Sequence, residues 1–163
     1  LQMVSNFIPA AGHTQDAAIR DAYVDWLSGL EFHWYVTLAF NHAASVQGAR
    51  TRFRAWIGRI DRRYLGKRWN KLPNDARTLA CGASENPTTN LHLHVLLKMP
   101  SKALHRPLAD QIATFKKHWN ILEPAGAAHI QQITHDPQRV AGYVFKQLTQ
   151  PGHLETCILL APE

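Results

Sequence analysis

Two histidines separated by one aliphatic residue, His92-Leu93-His94, stand inside a short apolar run, Asn90-Leu91-His92-Leu93-His94-Val95-Leu96-Leu97-Lys98-Met99-Pro100. The run has the length of a strand and ends at a proline, so it reads as a buried strand. Side chains alternate across a strand, which sends Leu91, Leu93, Val95 and Leu97 to one face and both imidazoles to the other. Two imidazoles held by a rigid sheet and pointing the same way make half of a metal site. Further along the chain, Tyr143 and Lys146 fall one helical turn apart. The pair is either an exposed tyrosine with its ring lying on its neighbours or a phenol with a cation placed beside the charge that would develop on it.

The elements that must hold these groups follow from periodicity. Thr14 can cap a first helix, with Asp16 in its first turn and Ile19, Tyr23, Trp26 and Leu30 on one stripe. Residues 32–40 alternate, with Phe32, Trp34, Val36, Leu38 and Phe40 against His33, Tyr35, Thr37 and Ala39, which predicts a half-buried strand whose polar set faces a site. Residues 45–65 read as a long helix ending at Gly66, with Val46, Ala49, Phe53, Trp56, Ile57, Ile60 and Tyr64 as its apolar stripe. A second strand covers 77–84, and the turn-forming Glu85-Asn86-Pro87-Thr88-Thr89-Asn90 makes a hairpin with the His strand. Residues 99–107 are a connection. An amphipathic helix carries Leu108, Ile112, Phe115, Trp119 and Leu122, a short strand covers 127–133, Asp136-Pro137 opens another helix, and a last strand covers 154–160. On the helix after Pro137, Val140, Ala141, Val144, Phe145 and Leu148 share one arc, while Arg139, Tyr143, Lys146 and Gln147 share the opposite one. Gly142 beside the tyrosine costs helix stability and leaves room for a close approach.

The expected architecture is α+β: a five-stranded, mostly antiparallel sheet flanked by four helices. At 163 residues the chain forms a single domain, 1–163, with one well-buried core. No apolar run is long enough to span a bilayer. No signal-peptide pattern is visible, and Cys81 and Cys157 are too few and too distant for a disulfide framework, so a cytoplasmic location is expected. A P-loop is absent, which excludes an ATPase motor of that kind. The net charge of +6 favours a polyanionic partner, nucleic acid first. Arg50, Arg52, Arg54, Arg59, Arg62 and Arg63 surround the apolar stripe of the long helix, with Asp61 alone against them. They form either a solvated helix face or a surface that tracks phosphates.

Taken together the pieces resemble the HUH endonucleases, named for His–hydrophobic–His, and among them the rolling-circle replication initiators (Rep type) that use one tyrosine. Trp34-Tyr35-Val36-Thr37-Leu38-Ala39-Phe40 resembles the first-strand motif, His92-Leu93-His94 the naming motif, and Tyr143-Val144-Phe145-Lys146 the tyrosine-x-x-lysine motif. The matches follow the family's order and span residues 32–150. The resemblance implies the HUH/Rep nuclease fold with an RRM-like core. It implies attack by Tyr143 on a phosphodiester of single-stranded DNA at an origin or nick site, giving a 5′-phosphotyrosyl enzyme and a free 3′-hydroxyl. Lys146 would assist, and Mn2+ or Mg2+ would be held by His92, His94 and a carboxylate, for which Glu85 is the nearest match. Strict alternation puts Glu85 with Leu79, Cys81 and Ala83, on the expected core side, so a bulge near Gly82 is needed to bring it round. His129, His135 and Asp136 are substitutes for it. Thr37, Arg50, Arg54, Arg59, Arg62, Arg63 and Arg139 are the expected nucleic-acid contacts, a separate helicase is a further partner, and the domain is a monomer.

Three other readings compete. A single-tyrosine transposase of a small insertion sequence carries the same motifs. Two histidines and a glutamate also suit a zinc hydrolase, in which Tyr143 is dispensable. A sheet with exposed aromatics and a basic flank can hold single strands without cutting them.

Overall fold

The computed structural model describes residues 13–86, 89–144 and 157–160. Alternation of apolar and polar side chains places β1 (Trp34–Ala39) in the interior of the sheet: Trp34, Val36 and Leu38 are buried on one side, and Tyr35 and Thr37 stand on the other. The His strand, β3 (His92–Lys98), pairs antiparallel along one edge of β1, and β4 (Ala127–Gln132) pairs antiparallel along its other edge. The hairpin partner β2 (Leu79–Glu85) pairs with the far edge of β3. The result is a four-stranded antiparallel sheet in the order β4-β1-β3-β2. A short C-terminal strand, β5 (Cys157–Leu160), lies antiparallel against Ala80 to Ala83 of β2.

The leucine face of the sheet is covered by the long helix α2 (Val46–Leu65), the single turn α3 (Ser101–Leu104) within the expected connection, and α4 (Leu108–Leu122). α2 starts where the hydroxyl of Ser45 accepts the Gly48 N–H at 3.0 Å, and it stops at Gly66, whose φ of +89° suits a glycine. Ala49, Phe53, Trp56, Ile57 and Ile60 of α2 meet Phe115 and Trp119 of α4 over Leu93, Val95 and Leu97. Each such large side chain, fully buried, contributes about 1.5–3 kcal/mol. Gly126 is required here: a Cβ on it would come within 2.5 Å of the Ala39 carbonyl.

The histidine face is covered only in part. α1 (His13–Ser28) and α5 (Pro137–Val144) lie over one end of it, packing Leu27, Ala141 and Val144 against Phe32, Cys81, Ala83 and Leu96. Among the described side chains of α1 the buried one is Leu27; Trp26, expected in the stripe, is 42 % exposed. α5 begins as expected at Asp136, whose carboxylate accepts the Arg139 N–H at 3.0 Å, with Pro137 first in the helix.

Strand ends differ from the periodicity reading: β1 and β4 are shorter than the expected 32–40 and 127–133. β2 opens at Leu79 and runs on through Glu85, since Thr78 is diverted to bond Asp61. Residues 145–156, which include Lys146 and the expected start of the last strand, lie outside the described residues. Among the described residues no helix is long and apolar enough to cross a membrane.

Candidate active site

Cross-strand partners share a face, so the register determines which side chains meet. Thr37 of β1 lies opposite His94 on one side and His129 on the other, and Ala83 lies opposite His94 in turn. The next row toward the hairpin pairs Glu85 with His92. Glu85 thus stands on the histidine face without any bulge, since β2 and β3 pair residue for residue from Leu79–Lys98 to Glu85–His92. Alternation did group Glu85 with Leu79, Cys81 and Ala83, but that group faces the smaller core beneath α5 and, at its open end, the histidines. Gly82 points the other way, where a Cβ would meet the His94 carbonyl and Val95 at 3.3 Å.

A cleft of about 710 Å³ opens over these rows, between the hairpin end of β2 and β3 and the segment from β4 into α5. It brings together Glu85, His92, His94, Thr37, Arg139 and Tyr143 from the sequence-predicted set, along with His129, His135 and Asp136. The Tyr143 side chain is 48 % exposed, and its ring stands 5.6 Å from the His94 ring, centroid to centroid, at 77°.

His94 is held from both ring nitrogens. Its Nε2 lies 2.6 Å from Glu85 Oε2, and its Nδ1 lies 2.7 Å from the Tyr35 hydroxyl and 3.2 Å from that of Thr37. Burial pushes the Tyr35 phenol up to about 12, the Thr37 hydrogen bond opposes this, and Tyr143 and Glu85 add to it. An ionised carboxylate can only accept, so the Nε2–H of a neutral His94 donates to Glu85, and Nδ1 is left to accept from the Tyr35 hydroxyl. His92 is oriented differently. A carbonyl can only accept, so His92 Nδ1–H donates to Asn90 O at 2.6 Å and leaves Nε2 with a lone pair.

This donor set, two imidazoles and a carboxylate on adjacent strands of one face, suits a divalent ion in kind. His92 already has the backbone hydrogen bond that commonly orients a ligating imidazole. Among the described residues, however, no three His, Cys, Asp or Glu side chains are gathered to hold one ion.

The arginines of α2 are not part of the cleft. They belong to the helix on the opposite face of the sheet, and they divide at 100° per residue into two flanks, Arg50 and Arg54 against Arg52, Arg59 and Arg63. Arg54, Arg59, Arg62 and Arg63 are exposed. Arg52 pairs with the buried Glu123, and Arg63 approaches Asp110 at 3.9 Å. Asp61 does not oppose them: it is buried and accepts the Thr78 amide at 3.1 Å and hydroxyl at 2.6 Å. Its carboxyl is raised above the ordinary aspartate value by burial, against the Thr78 hydrogen bonds and Arg77. The flank toward α4 is nonetheless basic. His118 sits below the ordinary histidine value, first through burial and then through Arg59, Lys117 and Arg63.

Tyr35 is the site residue the motif reading passed over. Alternation along β1 did place it on the polar side with Thr37, but nothing in the sequence paired it with His94, 59 residues away. His33, in the same polar set, is not in the cleft; its Nδ1 accepts the Met99 amide at 2.9 Å. No family model, curated protein or solved structure matches this chain.

Proposed function

We propose that this chain is a single-tyrosine HUH endonuclease of the rolling-circle initiator type, which nicks and rejoins single-stranded DNA through a 5′-phosphotyrosyl intermediate. The observation that carries this is the half-exposed Tyr143 ring 5.6 Å from the His94 ring, on the wall of the cleft that also holds His92 and Glu85. An antiparallel sheet with the histidines on one of its interior strands supports the five-stranded fold of that family.

In this reading His92, His94 and Glu85 would hold Mn2+ or Mg2+, which would supply positive charge beside the scissile phosphate. The Tyr143 oxygen gives up its proton to solvent and forms a bond to phosphorus. The bond from phosphorus to the 3′ oxygen breaks, and that oxygen takes up a proton to become the free 3′-hydroxyl. The reverse sequence rejoins the strand. Thr37 and Arg139, both in the cleft, contact the strand being cut. Lys146, outside the described residues, would place positive charge beside the phosphate. Arg50, Arg54, Arg59, Arg62 and Arg63, on the far face of the sheet, would engage DNA away from the cut rather than the strand in the cleft. A helicase acting on the same DNA is a separate partner.

Incubating the purified protein with manganese and a degenerate pool of single-stranded oligonucleotides tests this. The expected result is a protein–DNA adduct that survives SDS, absent in Tyr143→Phe and His92→Ala. Cleavage by Tyr143→Phe would overturn the reading in favour of a zinc-type hydrolase, and binding without any cleavage by the wild type would favour a binding module.

A further inference from the structure

Three aromatic rings from three elements meet at the floor of the cleft, and the resemblance gives a role to only two of them, His94 and Tyr143. Tyr35 of β1 lies parallel to the His94 ring of β3, with centroids 5.9 Å apart and 9° between planes. It meets the Tyr143 ring of α5 edge to face, at 6.0 Å and 86°. With His94 to Tyr143 at 5.6 Å, the centroids form a nearly equilateral triangle. Tyr35 is also hydrogen-bonded to His94, its hydroxyl lying 2.7 Å from Nδ1. Thr37, two residues on along the same strand face, approaches both Tyr35 Oη at 3.4 Å and His94 Nδ1 at 3.2 Å.

We infer that Tyr35 is a positioning residue that sets the nucleophile and the ligating histidine at a fixed separation, its hydroxyl anchoring His94 and its ring seating Tyr143. The inference rests on the endonuclease reading for what the positioning serves, but the anchoring itself does not depend on it. The two parts of the side chain have separate tasks. A hydroxyl can donate or accept, so Tyr35 supports His94 in either of its two neutral forms. With the hydrogen on Nε2, His94 bonds Glu85, as it does here, and Tyr35 donates to Nδ1. With the hydrogen on Nδ1, His94 returns it to the Tyr35 oxygen and turns the lone pair of Nε2 toward an ion. Phenylalanine can do neither, although it keeps the ring against Tyr143. Leucine loses both the hydroxyl and the aromatic edge contact, which is worth about 0.5–1.5 kcal/mol where such pairs have been isolated. β1 is a strong platform for this task, since it is paired along both edges and its reverse side, Trp34, Val36 and Leu38, is buried in the main core.

The test uses Tyr35→Phe and Tyr35→Leu in the full chain, with thermal melting to establish that both fold. Manganese affinity is measured on protein alone by electron paramagnetic resonance, and the adduct-forming rate is measured in single turnover at saturating manganese. Tyr35→Phe is expected to weaken manganese binding by about tenfold, the low end of the range for a lost hydrogen-bond partner of a ligand. At saturating metal its rate should return to near the wild-type value. Tyr35→Leu should remain slow at saturating metal, because the seat of Tyr143 is lost. A protein that merely tolerated a packing change would not separate affinity from rate in this way. In parallel, imidazole nitrogen shifts of metal-free protein report where His94 carries its hydrogen. Wild type should show a single form protonated on Nε2, and Tyr35→Phe a mixture. Unchanged His94 shifts together with unchanged manganese affinity in Tyr35→Phe would overturn the inference. Wild-type protein that binds no manganese and forms no adduct would instead overturn the endonuclease reading, and the nitrogen shifts would still decide whether Tyr35 anchors His94.

Discussion

The two faces of the sheet are built from alternate residues of the same strands, yet they carry different chemistry. On the leucine face every tryptophan N–H of the core has an acceptor: Trp34 bonds Gln111, Trp56 bonds the Phe115 carbonyl, and Trp119 bonds the Ala39 carbonyl. Three helices close over it, and the aromatic rings pack mainly edge to face. On the histidine face two helices cover one end, and the remaining side chains line an open cleft. Polar groups there bond to one another, as Tyr35, His94 and Glu85 do, at the edge of solvent. A strand position therefore becomes structural or functional according to what covers it, rather than according to its own residue type.

That contrast can be broken by substituting one residue on each face. Tyr143→Phe should abolish the adduct, a loss of at least about a thousandfold if the phenol is the nucleophile. Its melting temperature should stay near the wild-type value, since the lost hydroxyl lies on a half-exposed side chain. Trp56→Ala should do the converse. It removes a fully buried ring and the donor to Phe115, and about 3–5 kcal/mol of stability should go with it. What remains folded should still form the adduct. Denaturant unfolding of both variants beside a gel of SDS-resistant adduct measures the pair. A Trp56→Ala protein of normal stability would show that the leucine face is not the structural one.

Much of this division was legible in the sequence. The alternation of Trp34 to Phe40 and of Leu91 to Leu97 assigned both faces correctly, because burial on one side imposes a period of two that few other constraints produce. The side of Glu85 was not legible. Alternation fixes which residues of β2 travel together, but which face they take depends on pairing with β3, and Cys81 and Ala83 are apolar enough to fit either core. The arginine helix was misleading for a related reason. Its amphipathic stripe is plain, but nothing local says on which side of the sheet the helix docks. Asp61 looked like the lone acid among six arginines, and it is turned inward to a partner 17 residues on, Thr78, that only the fold supplies.

Asp61 also sharpens the comparison, as a buried carboxyl on the closed face. Its carboxyl is raised in the folded protein, so the native state binds a proton that the unfolded state has already lost. Stability on its account is greatest below the ordinary aspartate value of 3.8 and falls as pH rises from there through the raised value. Asp61→Asn keeps an oxygen for both Thr78 bonds and should remove that decline. Asp61→Ala leaves the Thr78 amide and hydroxyl without their acceptor and should cost about 1–3 kcal/mol at neutral pH. Unfolding free energies between pH 4 and 7 distinguish the two. If Asp61→Asn follows the wild-type curve, the pH dependence belongs to other groups.

The smallest expected effect belongs to Gly142, beside Tyr143 on the open face. A Cβ there would meet nothing within 4 Å, so no packing requirement explains a glycine inside α5. Replacing it with alanine should raise stability by about 0.5–1 kcal/mol, because alanine loses less backbone freedom in a helix. A shift of about 1–4 °C in melting temperature would follow for a domain of this size. If the space beside Tyr143 is where the strand passes, the added methyl group should weaken binding of single-stranded oligonucleotides several-fold even as the protein becomes more stable. A gain in stability with unchanged affinity would place the strand elsewhere in the cleft, on the side of His129 and Gln131. The corresponding substitution on the closed face, Gly126→Ala, should fail in the opposite sense, losing stability because its methyl group would collide with the Ala39 carbonyl.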